Sequence, residues 1–417
     1  MNILIGLMLF PLLDRFARRE GKIDERLIKK TQTLDSAGKL SAIIFSKEEQ
    51  GSICKECLKE MGVNIVHEFP FINAYAVEVP ASMLGEVARI EAIEYISDDI
   101  ETSSLLDIAT QGVGARTANK MGYTGKGIGI AVLDTGIYPH PDLIRPKNRI
   151  VAFKDFINQR EGPYDDNGHG TFVAGVAAGN GYSSGGRYAG VAPEANVIGV
   201  KVMTKNGEGN ASKIVAGMQW VLDHRNDYNI RIACLSLGSQ LLGSLNKDPL
   251  VVASNALWDQ GIFVVAAAGN AGPKQGTITT PGVCPSIVTV GAVDDKRTVD
   301  PRDDVVADFS SRGPVRGGLA KPDVVAPGVG VISLNTDPDY SNGPKLYSLE
   351  KVYATMSGTS VAAPVVAGMA ALILEKNPSY KPDDIKRLLL KHTRKLDANI
   401  YAQGKGLVDM QRILNEI

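Results

Sequence analysis

Residues 128–136 read IGIAVLDTG, and this stretch decides the fold class. From Ile128 to Leu133 the residues are small or β-branched and apolar, with no alternation of polar and apolar positions. Asp134 ends the run, and a glycine turn follows. A strand without a polar face must be covered on both sides, which is the habit of parallel sheets. Working outward, similar runs recur at Val197–Val202, Ile232–Ser236, Phe263–Ala267 and Ile287–Val290. Helical stretches at Ala211–Asp223, Leu250–Asp259, Ser360–Leu374 and Pro382–Lys391 alternate with them or follow them. Strands alternating with helices predict an α/β domain on a mostly parallel sheet. Chemistry in such sheets gathers at the carboxyl ends of the strands, which is where Asp134 stands.

Upstream the period changes. Strand candidates at Ser41–Phe45, Val63–Val66, Ala74–Val79 and Ile93–Ile96 enclose helix candidates at Lys47–Met61 and Pro80–Ile90. The order βαββαβ predicts a small α+β domain over residues 37–105. Before it, residues 1–36 read as a helical extension; after it, residues 106–417 form the large domain. Ser97–Asp107 is polar and acidic, with Thr102, Ser103 and Ser104 at its centre, and suits an exposed, cleavable linker. The apolar segment at residues 3–13 is too short to cross a bilayer. It lacks a basic leader, so it reads as an amphipathic helix rather than an export signal, which favours a cytoplasmic chain.

The composition excludes whole classes of function. The chain has 417 residues, 44% hydrophobic and 22% charged, which rules out a disordered or fibrous protein. Lys plus Arg number 45 and Asp plus Glu 46, a balance that leaves no electrostatic footprint for nucleic acid. Cys54 and Cys57 form a lone CxxC, while Cys234 and Cys284 stand apart. With His67 as the only nearby histidine, the pair reads as two thiols on a helix, not a zinc site.

Three glycine-flanked residues carry the chemistry: Asp134 in AVLDTG, His169 in DDNGHGTFVAG and Ser360 in MSGTSVAAP. Each has an alternative reading, since Asp134 and Ser360 could serve as caps and a lone histidine is often structural. Together, in the order Asp, His, Ser on one α/β domain, they match one of the chain orders in which nucleophile triads are built. A dinucleotide site at Gly125–Gly129 fails, because that glycine run precedes a strand instead of joining strand to helix.

The segments DTGIYPHPDL, NGHGT, SLG, AAAGN, FSSRGP, KPDVVAPG and SGTSVAAP resemble the subtilisin-like serine proteases, and within them the AprX-like intracellular branch. The resemblance implies a three-layer subtilisin-like domain and a serine endopeptidase acting on proteins or peptides. It implies that Asp134, His169 and Ser360 form the triad and that Asn270 completes the oxyanion hole. It further implies that Gly207, Glu208 and Gly209 make one backbone edge for substrate and Ser236, Leu237 and Gly238 the other. Ala267, Ala268 and Gly269 would wall the first specificity pocket, leaving room for a large apolar side chain. Residues 37–105 would be a propeptide, an intramolecular inhibitor removed by self-processing at about Leu105–Leu106. No cofactor is implied for the chemistry. A structural calcium is, with Asp142 as a ligand, although Gly179–Gly186 replaces a loop that often binds it. Phe172 also departs from the family, standing where many relatives carry a second histidine.

Overall fold

The computed structural model describes residues 22–33, 38–99, 105–241, 244–337 and 352–417. The chain divides between Thr102 and Ser103 into two compact units.

In the first unit β1 (Lys39–Ser46) buries Leu40, Ala42 and Ile44 on one face, the period-two pattern of a half-covered strand. Helix α1 (Glu25–Thr33) precedes it; α2 (Gly51–Glu60), β2 (Asn64–Phe69), β3 (Ala74–Pro80), α3 (Leu84–Val87) and β4 (Ile93–Asp98) follow. The strands form an antiparallel sheet in the order β2-β3-β1-β4. The expected βαββαβ order is therefore present. Its second helix shrinks to a 3₁₀ turn at Ala81–Met83 and the single turn of α3. The described part of the N-terminal extension joins this same core: Leu27 is fully buried and Asp24 N donates to Ile96 O on β4. Residues 1–21, with the amphipathic reading of 3–13, lie outside the described residues, as do Thr102, Ser103 and Ser104. Cys54 and Cys57 lie free on α2, and burial pushes the Cys54 thiol up to about 11.

The second unit opens with α4 (Leu105–Gly112) and α5 (Ala115–Lys120). There follow β5 (Gly129–Asp134), α6 (Pro141–Ile144), β6 (Ile150–Asp155), α7 (His169–Ala178), β7 (Asn196–Lys201), α8 (Ala211–Asp223), β8 (Ile230–Leu235), α9 (Pro249–Asp259), β9 (Phe263–Ala267) and β10 (Val288–Asp294). The short strands β11 (Val305–Val306), β12 (Val324–Pro327), β13 (Val331–Leu334) and β14 (Tyr353–Met356) lead to α10 (Thr359–Lys376) and α11 (Pro382–Lys391). The chain closes with β15 (Thr393–Arg394), α12 (Ile400–Gln403), β16 (Leu407–Val408) and α13 (Met410–Leu414). The main sheet runs β6-β7-β5-β8-β9-β10-β12-β16-β15, parallel except for β15, with β11 antiparallel beside β10.

Every residue of β5 and β9 is buried, so helices cover both faces of the sheet. Helix α10 is apolar and long enough to cross a membrane, but Val361–Leu374 lies inside the core. From β5 the chain goes out to β6 and returns through β7 on one side. It then builds β8, β9 and β10 on the other. The reversal leaves a crevice at the carboxyl ends of β5 and β8, where open α/β sheets bind ligands. Asp134 ends β5 there, and Ser236 follows β8.

Candidate active site

Asp134 is fully buried, and its Oδ1 accepts from Thr135 N at 2.7 Å and from His169 Nδ1 at 2.8 Å. A carboxylate only accepts, so the ring proton sits on Nδ1 and Nε2 is left as the base in the neutral ring. Burial alone would lower the His169 pKa. The Asp134 charge and hydrogen bond, with a further contribution from Asp165, outweigh it and raise the value above the ordinary one.

His169 is the first residue of α7, and the turn that delivers it is built on Asp165. This buried carboxylate accepts from Thr135 Oγ1, Asn167 N and Gly168 N on one oxygen and from Thr171 N and Oγ1 on the other. Thr135 Oγ1 in turn accepts from Gly170 N at 2.9 Å. Gly168 has φ 109°, a left-handed conformation that only glycine adopts cheaply, and it turns the chain into the helix.

Ser360 lies in the first turn of α10, where backbone N–H groups have no partner within the helix. Pro364 sits four residues on and has no N–H to give the Ser360 carbonyl. That carbonyl accepts instead from Ser236 Oγ at 2.8 Å, which ties the serine's turn to the end of β8. Asn270 follows β9. Its Oδ1 accepts from Thr359 N at 2.9 Å and Thr359 Oγ1 at 3.0 Å, so the amide nitrogen must face the other way. A β-carbon placed on Gly358 would lie 3.0 Å from Ser360 Oγ, 3.4 Å from Asn270 Nδ2 and 3.7 Å from Ser360 N. The glycine thus keeps open a point on which a hydroxyl and two N–H donors converge. His169, Ser360, Asn270, Gly207, Ser236, Leu237, Gly238, Ala267 and Gly269 line one cavity of about 320 Å³. A hydroxyl, a base oriented by a carboxylate and a pair of N–H donors in one cleft can carry out acyl transfer.

The sequence pattern of the subtilase family matches residues 125–407. The chain belongs to the subtilase family. This subtilase is 44% identical over 390 residues to "Serine protease AprX" of Bacillus subtilis (strain 168), covering 89% of the chain and 87% of the relative. It is 32% identical to "Subtilisin E" of the same organism over 86% of the chain and 84% of that protein. Among solved structures it resembles "Sphericase" with a TM-score of 0.57 at 31% identity, over 75% of this chain and 94% of that one. The subtilase is a subtilisin-like serine protease with an α/β fold.

Several expected residues are placed differently. Glu208 and Gly209 do not line the cavity, and neither does Ala268, which is wholly buried. Residues 204–208 close into a turn, with Thr204 N donating to Glu208 O at 2.7 Å, so this edge is less extended than the glycines suggested. Leu105 and Leu106 open helix α4. Phe172 is fully buried in α7.

Asp142 is fully buried, but its surroundings do not fit a cation. Its Oδ1 accepts from Ser183 N at 2.9 Å and its Oδ2 from Tyr353 OH at 2.7 Å. The Arg149 guanidinium donates to the carbonyls of Asp142, Ala178 and Ala195. Donors therefore occupy the oxygens that calcium would need. The Gly179–Gly186 loop brings an N–H to the carboxylate rather than a ligand. Among the described residues no three His, Cys, Asp or Glu side chains gather as a metal site would require.

Sequence reasoning missed the part Asp165 plays in the turn into His169, the place of Thr279 in the same cavity, and Pro364. Pro364 alone had a readable signal, a proline four residues after the serine.

Proposed function

We propose that this subtilase is a serine endopeptidase, made as a zymogen that processes itself, with Asp134, His169 and Ser360 as its triad. Ser360 Oγ attacks the scissile carbonyl while His169 Nε2 takes its proton; the proton then goes to the leaving amine. Asp134 holds the ring in this tautomer and stabilises the imidazolium. The developing oxyanion is met by Ser360 N and Asn270 Nδ2, and water releases the acyl group in a second round. The observation that carries the reading is the 2.8 Å bond from His169 Nδ1 to a fully buried Asp134, in the cleft that also holds Ser360. Substrate lies as an added strand against the Ser236–Gly238 edge, with Gly207 opposite.

Residues 37–105 act as the inhibitory propeptide, cut at about Leu105–Leu106. Because Leu105 begins a helix whose first N–H groups have no helical partner, only one weak turn must open to present this bond in extended form. A covalent serine-directed inhibitor should add one equivalent of mass at Ser360, and Ser360→Ala should remove both labelling and hydrolysis. Labelling that survives the substitution refutes the assignment. For the processing step, Leu105→Asp should leave the chain at full length; normal cleavage of that variant refutes the proposed bond.

A further inference from the structure

We propose that Lys201 is a positioning residue of the active site, whose buried ammonium holds the carbonyl of Thr135 and through it keeps Asp134 and His169 aligned. The proposal rests on the peptidase reading above and concerns a residue that does not itself line the cleft.

Lys201 ends β7, in register with Asp134 at the end of β5, and its side chain is fully buried. An ammonium has three N–H donors and no acceptor. All three are used: Nζ donates to Thr135 O, to Asp166 Oδ1 at 2.6 Å and to Met203 O at 2.9 Å. The centroid of the Tyr164 ring lies 5.3 Å from Nζ. Taking a charge this far from water is costly, and an apolar residue of similar volume would fill the same space without that cost. What lysine adds here is the direction of its three bonds.

Two of the three acceptors are held by other bonds as well. Met203 N donates to Asp134 O at 3.2 Å and Val202 N to the same oxygen at 2.9 Å, so this wall of the cleft is tied to β5 through the backbone. Asp166 lies in the turn that the neighbouring Asp165 carboxylate holds with the five bonds described above. Thr135 is different, because it is the hub of the site. Its N–H donates to Asp134 Oδ1 at 2.7 Å. Its hydroxyl donates to Asp165 Oδ1 and accepts from Gly170 N, each at 2.9 Å. One residue thus touches the carboxylate that orients the base and both ends of the turn that carries it. The Thr135 carbonyl leads into Gly136, whose φ of 129° is open to glycine and leaves this peptide free to swing. Lys201 Nζ stops that swing by taking the carbonyl. Released, the hub would turn and shift Asp134 against His169; a misplacement of about 1 Å costs on the order of 10² in rate.

The test compares the full chain with Lys201→Met, Asp166→Asn and the double variant. kcat and KM are read on one peptide p-nitroanilide and Tm by thermal unfolding. Rates are counted per active site by covalent titration of Ser360, so that unfolded or unprocessed molecules do not enter. Lys201→Met keeps the length of the side chain and loses the ammonium; kcat should fall by about 10- to 100-fold. KM should change by less than about 3-fold, because the interaction removed acts on the base and not on bound substrate. Asp166→Asn leaves the bond to Thr135 in place. It should lower Tm, since a buried cation loses its counter-charge, and yet keep kcat within about 3-fold. The double variant holds no unpaired charge and so gives a folded protein even where Lys201→Met alone does not; its kcat should be as low as that of Lys201→Met. A merely structural lysine would give kcat that follows Tm across the variants. A kcat within about 3-fold of the unaltered value in Lys201→Met or the double variant overturns the proposal. So does a fall in Asp166→Asn as large as in Lys201→Met, or a raised KM with kcat intact. Absence of both titration and hydrolysis in the unaltered protein would instead overturn the peptidase reading on which it rests.

Discussion

Asp165 and Asp304 are both withdrawn from water, at 1% and 9% exposure, and they are solvated by the protein in opposite ways. Asp165 accepts from the two threonine hydroxyls and three backbone N–H groups named above. Asp304 follows β10 in the acidic stretch at residues 294–304, and its buried Oδ1 has no partner. Burial, then the charges of Asp295 and Asp303, push its carboxyl up to about 7, against a smaller opposing pull from Arg394. The pair teaches that a buried carboxylate is not in itself a liability. What matters is whether the backbone around it was folded to supply donors. Around Asp165 it was, whereas Asp134, in the same candidate site, keeps a buried Oδ2 without a hydrogen-bond partner.

The largest effect should come from removing the satisfied carboxylate. Asp165→Ala strands several buried donors at once and should cost at least about 3 kcal/mol in denaturant unfolding. Turnover should fall with it, since the same bonds hold the turn into His169. A cost below about 1 kcal/mol would break the contrast, because a single ordinary hydrogen bond is worth that much.

Asn270→Ala removes a donor whose direction is fixed by Thr359 in the same manner. It should lower kcat by about 10²–10³, the magnitude known for such a donor in a subtilisin, and leave KM nearly unchanged. A raised KM with kcat intact would make Asn270 a ground-state contact.

Asp304→Asn should act in the opposite sense to Asp165→Ala. The folded chain keeps Asp304 protonated up to about 7, whereas the unfolded chain ionises it near the ordinary aspartate value of 3.8. Its contribution is therefore full below that lower value and is lost as pH rises toward the upper one. The variant should gain about 1–3 kcal/mol at pH 8 and almost nothing at pH 4, read from thermal unfolding at both. Destabilisation at pH 8 would mean that Asp304 has a partner in solution.

The smallest effect concerns Asp142, whose oxygens are satisfied by Ser183 and Tyr353. The change in Tm between added calcium and added chelator should be the same for the unaltered protein and for Asp142→Asn. A calcium response that disappears in the variant would place a cation at Asp142 after all.

The central sheet was legible because β5, β8 and β9 are apolar but for Asp134 at the end of β5 and Arg231 in β8, and are bounded by turns. Strand β6 escaped notice because it is an edge strand with several residues partly or fully exposed. Strands β11 to β16 are too short to show a period. Asp134, His169, Ser360 and Asn270 could be read because each carries its chemistry within a local glycine-flanked motif. Asp165 and Thr279 could not. Asp165 matters through bonds to Thr135, which is 30 residues away, and Thr279 stands beside Gly238 and Gly269, which follow separate strands. Those roles exist only once the chain has folded. Asp142 shows the converse: its motif was visible, but the donors that surround it come from three other segments.

Pro364 has a consequence for endurance. A protease at work is surrounded by copies of itself, and a frayed helix start is the kind of segment they cut. Without an N–H at residue 364, the first turn of α10 relies on Ser236, 124 residues away, to hold the Ser360 carbonyl. Loosening that turn therefore requires breaking a contact that spans the fold, as well as its local bonds. The proposed nucleophile is thus anchored by a hydroxyl on the proposed substrate edge, so on this reading the reactive turn and a bound peptide share one support.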